Sequence, residues 1–293
     1  MKVRGSYVYI GGIGEVFASA GKVKKIMPWK SYKEIAQRAL EKADAELLNQ
    51  KEQKFSFPFY AACAHPGLSF ICEVKRASPS RGLIAPDFNH TDIAQDYEVA
   101  GADAISVLTE HTRFLGSEDY LADVVRAQTL PVLRKDFIID DYMIYEAKVL
   151  GASAVLLICA LLDERTLADY LKLCHSLGLS ALVEAHTRDE IEQACLAGAK
   201  IIGINNRNLH DFSVNTQCTS QLAQAVPDGV LLVSESGITQ AQDVQQAFDA
   251  QADAVLIGEA LMRAKDKKQK LRELKSLLPQ NVQDHNNAQT IEG

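Results

Sequence analysis

Long hydrophobic runs, paired cysteines and an excess of positive charge are all missing from the sequence. No stretch of about 18 consecutive apolar residues occurs, so we expect no membrane-spanning helix and no membrane partner. The six cysteines are irregularly spaced and form no Cys-x-x-Cys pair, which argues against a zinc site or a disulfide framework. Acidic residues outnumber basic ones by 38 to 31, for a net charge of −7, so we expect no nucleic-acid partner.

The N-terminal residues imitate a secretory signal without matching one well. Lys2 and Arg4 precede a mildly apolar stretch over residues 7–20. Gly11, Gly12, Gly14 and Glu15 interrupt that stretch, which makes it a poor hydrophobic segment for export. Together with cysteines that favour free thiols in a reducing compartment, this predicts a cytoplasmic protein.

Short apolar runs of strand length recur along the chain, and most are followed by a segment with helical periodicity. The eight runs are Leu68–Val74, Ala104–Leu108, Pro131–Leu133, Ala154–Ile158, Ala181–Val183, Ile201–Ile204, Val230–Val233 and Ala254–Ile257. Helices are predicted at Thr91–Ala100, Ile144–Leu150, Leu167–Leu177, Asp189–Ala197 and Ala241–Ala250. Four of these helices stop before a glycine, which is the usual C-terminal cap.

The alternation of strands and helices predicts an α/β protein with a parallel sheet, because continuously apolar strands are buried on both faces. An open dinucleotide-binding sheet normally carries Gly-x-Gly-x-x-Gly after its first strand, and that pattern is absent here. The prediction is therefore a (β/α)8 TIM barrel over residues 67–279. Residues 1–66 are predicted to be a helical extension packed on the barrel, with a helix over 31–48, and 280–293 a disordered polar tail.

Charged residues lie late in the predicted strands, where an apolar residue would be expected. Glu73 and Lys75 are two apart at the end of strand one and share a face, and Lys135, Glu184 and Glu235 end strands three, five and seven. Alternate strands contribute to one layer of a barrel interior, so these side chains are predicted to meet at the upper rim. A purely structural ion-pair network is the alternative, but desolvating so many charges gains little stability.

Two glycine turns follow strands seven and eight, the usual phosphate site of this fold. They are Ser236-Gly237 and Gly258-Glu259. Glycine lets backbone N–H groups approach phosphate oxygens closely. The alternative is a pair of tight turns without a ligand. We predict an anionic small-molecule substrate, held by local groups against an unfavourable global charge.

Six segments, at 72–80, 134–138, 183–186, 203–209, 234–238 and 257–262, together resemble the indole-3-glycerol-phosphate synthase family. The Glu-x-Lys-x-x-Ser-Pro-Ser stretch at 73–80 is the most specific of them. The resemblance covers roughly residues 55–265 and corresponds to the monofunctional form. It implies closure of the indole ring of 1-(2-carboxyphenylamino)-1-deoxyribulose 5-phosphate, with loss of CO₂ and water, in tryptophan biosynthesis. It implies no metal or organic cofactor, and we expect a monomer or weak homodimer.

The resemblance also implies roles for individual residues. Lys135 corresponds to the acid near the substrate carbonyl, while Lys75, Glu73 and Glu184 remain open candidates for the acid and base of the dehydration. A lysine buried near other cations is expected to have a lowered pKa. Asn205 is expected to contact a substrate hydroxyl or to position Glu184. The residues expected to contact substrate are Ser78, Arg207, Glu235, Ser236, Gly237, Gly258, Glu259, Phe114 and Phe137, with Arg207 as carboxylate clamp, the two phenylalanines as ring wall, and Ser78 in a mobile loop.

Two other functions fit part of this pattern. A different phosphate-binding barrel enzyme, such as a phosphoribosylanthranilate isomerase, would need a Cys/Asp acid–base pair that the pattern does not supply. A non-catalytic sugar-phosphate-binding barrel would keep the cradle but has no use for two rim lysines. His186 and His210 lie near strand ends without an assignable partner, so we expect them outside the pocket.

Overall fold

The structure is a computed structural model that describes residues 2–4, 7–10, 14–17, 56–208 and 211–279. The predicted helix over 31–48, the predicted tail over 280–293 and His210 lie outside the described residues. Near the N-terminus, Lys2–Arg4, Tyr7–Ile10 and Gly14–Phe17 form a three-stranded antiparallel sheet.

Eight parallel strands form a closed barrel, as the sequence predicted. They are β1 (Ser69–Val74), β2 (Ala104–Leu108), β3 (Val132–Lys135), β4 (Ala154–Ile158), β5 (Ser180–Ala185), β6 (Ile201–Asn205), β7 (Leu231–Glu235) and β8 (Ala254–Ile257). Each strand pairs with its sequence neighbours, and β8 pairs with β1 to close the ring. Every residue of β1 is buried, as expected for a strand covered by helices on one face and by barrel interior on the other.

Helices surround the barrel and follow its strands. The described helices are α1 (Pro58–Cys63), α2 (His90–Ala100), α3 (Glu118–Ala127), α4 (Asp141–Val149), α5 (Glu164–Ser176), α6 (Arg188–Ala197), α7 (Gln217–Leu222), α8 (Ala241–Asp249), α9 (Glu259–Arg263) and α10 (Lys267–Lys275). Short 3-10 turns at Cys159–Leu161 and Ala223–Ala225 complete the set. A short hairpin pairs Ala77–Ser78 with Gly82–Leu83 in the loop after β1.

Local sequence explains where several helices begin and end. Asn89, Ser117 and Asp163 accept hydrogen bonds from backbone N–H groups in the first turns of α2, α3 and α5. Gly101 and Gly198 end α2 and α6 with φ of 86° and 93°, a conformation that favours glycine. The five predicted helices are therefore confirmed, with boundaries that differ by up to three residues.

Helix α1 covers the N-terminal end of the barrel. Its Phe59 and Cys63 are fully buried, and the Tyr60 N–H donates to Ser180 Oγ at 3.3 Å. The Ser69 hydroxyl donates to the Ala62 carbonyl at 2.8 Å, which ties the start of β1 to the same helix. A site that admits a substrate must therefore lie at the opposite, C-terminal end of the strands.

All six cysteines are free thiols, and four of them are buried. Cys72 is among the buried ones and alternates with Glu73, so it faces the helices rather than the barrel interior. None of the helices within the described ranges is long and apolar enough to cross a membrane. The same part of the chain contains no group of three or more His, Cys, Asp or Glu side chains arranged to hold a metal ion.

Candidate active site

A cavity of about 870 Å³ opens at the C-terminal ends of the barrel strands. Most of the side chains proposed from sequence line it. They are Glu73, Lys75, Ser78, Phe114, Lys135, Phe137, Glu184, Asn205, Arg207, Ser236, Gly237, Gly258 and Glu259. Glu235 does not line the cavity and is only 1% exposed, because it lies deeper in the barrel under the rim.

Strand alternation brings the charged side chains into the barrel interior. In β6, Gly203 pairs with Glu184 of β5 and with Val233 of β7, so no side chain separates the two glutamates at this level. A Cβ atom built on Gly203 would overlap Glu235 Oε1. The glycine therefore provides the space that the Glu235 carboxylate occupies.

Lys135 lies at the centre of a carboxylate cluster. Its Nζ donates a hydrogen bond to Glu235 Oε2 at 3.1 Å and lies 3.8 Å from Glu184 Oε2. Burial lowers the pKa of Lys135, but the charges of Glu235, Glu184 and Glu73 outweigh burial, and the net shift is upward. The expectation of a lowered lysine pKa is therefore wrong for Lys135, because its neighbours are anions rather than cations.

Glu73 and Lys75 form a second pair at the end of β1. Lys75 Nζ donates to Glu73 Oε1 at 2.5 Å. Burial acts to raise the pKa of Glu73, but Lys75 and Lys135 hold it below its usual value. A Cβ atom built on Gly258 would lie 2.8 Å from Lys75 Nζ, so the absence of a side chain there lets backbone and ammonium group lie side by side.

The pKa of Glu235 is shifted upward, in contrast to that of Glu73. Burial raises its pKa to about 7, with Lys135 opposing the shift and Glu184 adding to it. The physical cause is that one ammonium group cannot neutralise two neighbouring buried carboxylates. Glu235 thus serves as the hydrogen-bond acceptor that orients Lys135 from below.

The turn after β7 has an unusual backbone. Ser236 and Gly237 have consecutive positive φ values of 67° and 81°. Asn206, which the sequence reasoning did not single out, holds this turn: its Nδ2 donates to the Ser236 carbonyl and to Ser234 Oγ, both at 3.1 Å. Its Oδ1 accepts from the Thr219 N–H at 3.1 Å. The available sequence signal was a second amide directly after a buried strand.

Phe114 and Phe137 form an aromatic wall, with ring centroids 6.2 Å apart and planes inclined at 54°. The loop that carries Phe114 is folded around the buried Glu110 carboxylate, which accepts hydrogen bonds from the N–H groups of Arg113 at 2.7 Å and Phe114 at 3.0 Å. The apolar floor of the cavity, which sequence reasoning also missed, is formed by Leu108, Leu156, Ile158 and Leu256.

The rim is linked across several loops. Arg207 donates to the Phe212 carbonyl at 3.1 Å, and burial lowers its pKa. Asn205 Oδ1 accepts from the Arg207 N–H at 3.0 Å. Among the described residues Asn205 makes no hydrogen bond to Glu184, which leaves a substrate contact as its remaining predicted role. Arg81, not proposed from sequence, lies 3.1 Å from Glu259 and joins the loop after β1 to the turn after β8.

His186 lies just outside the cavity, as expected, but it does have partners. Its Nε2 is 3.6 Å from Glu184 Oε1, and its Nδ1 is 3.6 Å from Glu190 Oε2. Burial lowers the pKa of His186, but these carboxylates outweigh burial and the net shift is upward. Sequence spacing could not reveal the contacts, because a strand, a loop and a helix each contribute one residue.

A closed eight-stranded barrel with an acid–base pocket at its C-terminal face defines a (β/α)8-barrel enzyme. A family model described as indole-3-glycerol phosphate synthase matches residues 23–274. The chain therefore belongs to the indole-3-glycerol phosphate synthase family, which comprises decarboxylating, ring-closing lyases of tryptophan biosynthesis.

Similar proteins agree with this assignment. Indole-3-glycerol phosphate synthase of Ruminiclostridium cellulolyticum is 50% identical over 83% of this chain and 92% of its own. The protein of the same name from Endomicrobium trichonymphae is 48% identical over 89% of this chain and 97% of its own. Among solved structures, 3-hexulose-6-phosphate synthase from Salmonella typhimurium matches with a TM-score of 0.57 at 16% identity, covering 72% of this chain and 98% of that one. That likeness concerns the fold alone.

Proposed function

We propose that this chain closes the indole ring of 1-(2-carboxyphenylamino)-1-deoxyribulose 5-phosphate and releases CO₂ and water. The observation that carries the proposal is the pair of lysine–glutamate contacts, Lys75 with Glu73 and Lys135 with Glu184, on one cavity beside two glycine turns. The reaction needs separate proton donors and acceptors around one bound anion, and this pocket offers both.

The pocket suggests an orientation for the substrate. The phosphate would lie against the turns at Ser236-Gly237 and Gly258-Glu259, with Lys75 close to the second turn. Arg207 would pair with the substrate carboxylate, since its planar fork suits a two-point contact. The aniline ring would rest against Phe114 and Phe137, the apolar side of the cavity.

Ring closure joins the ring carbon that bears the carboxylate to the substrate carbonyl carbon. The carbonyl oxygen gains negative charge and takes up a proton, and Lys135 is the donor we assign to it. Its raised pKa keeps Lys135 protonated at neutral pH, so it supplies a full positive charge where the negative charge develops. CO₂ then leaves, and the electron pair of the broken carbon–carbon bond stays in the ring.

Dehydration breaks the bond to the newly formed hydroxyl group and removes one proton from the five-membered ring. Lys75 is the proton donor we assign to the departing hydroxyl. Glu184 is the acceptor we assign to the ring proton, because its nearest lysine nitrogen is 3.8 Å away, beyond hydrogen-bond distance. Glu73 is a poorer acceptor, since Lys75 is bonded to it at 2.5 Å and its pKa is lowered.

The alternative of a phosphoribosylanthranilate isomerase is not favoured. Its chemistry calls for a cysteine and an aspartate facing one substrate. Asp136 and Asp211 line the cavity, but within the described residues no cysteine does. Burial raises the pKa of the Cys72 thiol, which also faces away from the pocket, so Cys72 is unsuited to proton transfer.

The proposed activity is tested by adding the carboxyanilino substrate to the purified full-length chain. We expect indole fluorescence to increase with time and CO₂ to be released in equal amount. Fluorescence that stays at the baseline while the substrate is recovered intact would contradict the proposal. Recovery of an isomerised sugar would instead favour the isomerase.

Lys135→Ala tests the acid that we assign to ring closure. We expect kcat to fall at least about 1,000-fold, because the variant loses both the proton donor and the charge beside the developing oxyanion. Inhibition by inorganic phosphate should change less than about threefold, since the turns that would bind phosphate are intact. Lys172→Ala is the matched control, because its side chain is 78% exposed on α5, away from the cavity.

A further inference from the structure

His186 lies between a pocket carboxylate and a carboxylate on the outer helix ring. Glu184 belongs to β5, His186 follows that strand, and Glu190 lies in the first turn of α6. The Glu190 carboxylate accepts a hydrogen bond from the backbone N–H of His186 at 2.6 Å and also lies 3.6 Å from the ring Nδ1. The ring therefore lies between two carboxylates, with Nδ1 facing Glu190 and Nε2 3.6 Å from Glu184 Oε1.

The Nε2 atom is buried and has no hydrogen-bond partner within the described part of the chain. A buried polar atom without a partner costs free energy, so its persistence calls for an explanation. Nearby charge supplies one. The charges that act on the ring are the carboxylates of Glu184 on β5, Glu190 on α6 and Glu235 on β7. Lys135 on β3 contacts Glu184 rather than the ring, and the Cys159 thiol donates to the Glu190 carbonyl. Carboxylates dominate this set, so the imidazolium form of His186 is stabilised.

We propose that His186 is a positioning residue for the dehydration step: its ring lies between Glu190 and Glu184 and orients the Glu184 carboxylate toward the ring proton of the bound intermediate. The inference rests on the proposed function, since it concerns the base that we assign to that reaction. His186 itself does not line the cavity and would act through Glu184.

The contacts of Glu184 explain why a second cation is needed. Lys135 is nearest to its Oε2 at 3.8 Å, but Lys135 donates its hydrogen bond to Glu235 at 3.1 Å. One lysine is therefore shared by two buried carboxylates. His186 supplies countercharge at the other oxygen, at a distance too long for a hydrogen bond. The lone pairs of the Glu184 carboxylate therefore remain free to accept a proton.

The first test compares the pH dependence of kcat and kcat/KM for His186→Gln with wild type. We expect kcat to fall about tenfold and KM to change less than about twofold. The acidic limb of the profile should move upward by about one pH unit, because an anion that loses a neighbouring cation takes up its proton at higher pH. His90→Gln is the matched control, since His90 also pairs with a carboxylate, Asp123 at 2.9 Å, but does not line the cavity.

The Glu190→Gln variant and the double variant that combines His186→Gln with Glu190→Gln distinguish a positioning role from a general loss of structure. Glutamine at position 190 can still accept the hydrogen bond from the backbone N–H of His186, but it carries no charge to stabilise the imidazolium form of the ring. We expect Glu190→Gln to move the acidic limb in the same direction by a smaller amount. The double variant should resemble His186→Gln alone, because Glu190 acts only through the histidine. Superimposable profiles for His186→Gln and wild type, or fully additive effects, would overturn the proposal.

A titration of the wild-type protein covers the case in which the histidine variant does not fold. We would follow the His186 ring by NMR and compare it with Glu184→Gln. The midpoint should fall by about one pH unit when the Glu184 charge is removed. An unchanged midpoint would refute the coupling. A normal shift in a chain that forms no indole would instead contradict the proposed function and leave the coupling in place.

Discussion

Lys135 and Glu235 illustrate how single residues take their properties from their neighbours. Both are buried, and the pKa of each is raised. The lysine stays charged because carboxylates surround it. Ionisation of the glutamate, in contrast, is opposed by burial and by the nearby charge of Glu184. The sequence indicates that these charges lie at the ends of odd-numbered strands, but the direction of each pKa shift depends on distances of 3–4 Å that sequence spacing does not specify. For that reason the lysine was predicted in the wrong direction.

The raised pKa of Glu235 makes a prediction about stability. The pKa of Glu235 is 4.5 in the unfolded chain, its ordinary value, and about 7 in the folded protein. Between these pH values the folded protein keeps a proton on Glu235 that the unfolded chain has already lost. Stability contributed by this group is therefore present at low pH and lost as the pH rises toward 7. Glutamine cannot titrate, so the unfolding free energy of Glu235→Gln should rise relative to that of wild type by about 2 kcal/mol when the pH is raised from 5 to 8. Urea unfolding at the two pH values measures this change.

Glu164→Gln serves as the control for that measurement, since it changes an exposed glutamate at the start of α5. Its stability difference from wild type should be nearly the same at the two pH values. Parallel curves for wild type and Glu235→Gln across this range would contradict the assigned environment.

Whole elements were the part of the fold that sequence predicted best. The runs at Ala104–Leu108, Ala154–Ile158 and Ala254–Ile257 match β2, β4 and β8 residue for residue. Apolar composition and length suffice for strands that are buried on both faces. The helix Glu118–Ala127 was missed, because it ends at Gln128 in an extended conformation rather than at a glycine.

The turn after β7 shows which part of the site sequence could not predict. Its glycine suggested an anion-binding turn, but the positive φ of 67° at Ser236 was not foreseen. A non-glycine residue in this conformation costs roughly 1–3 kcal/mol and persists only where its surroundings hold it. Here the amide of Asn206 supplies that support through the Ser236 carbonyl, and the contact joins two separate loops.

Asn206→Ala should therefore disturb this turn more than the acid–base groups. We expect KM and the inhibition constant of inorganic phosphate to rise about tenfold, while kcat falls less than about threefold. Removing a buried amide with several partners should also destabilise the fold by about 2–3 kcal/mol. Steady-state kinetics and urea unfolding measure both effects.

Asn89→Ala is the matched comparison, because Asn89 caps α2 on the surface. It should lower stability by about 1 kcal/mol and leave KM unchanged. An Asn206→Ala protein with wild-type phosphate inhibition would show that the turn does not depend on the amide.

At the scale of the whole molecule, the net charge of −7 works against an anionic substrate. Binding must then come from local features of one barrel end. The lysines, Arg207 and the glycine turns all line that cavity. The opposite end is covered by α1, where Phe59 and Cys63 are fully buried. The barrel thus separates a face that stabilises the fold from a face that carries the chemistry.

The most direct test of the central claim is a single-turnover experiment with excess enzyme and substrate carrying ¹³C in its carboxylate group. Wild-type enzyme should release ¹³CO₂ and form indole-3-glycerol phosphate in equal amounts. Lys135→Ala should bind the substrate but release neither, since ring closure must precede the loss of CO₂. Release of ¹³CO₂ by Lys135→Ala at the wild-type rate would contradict the account.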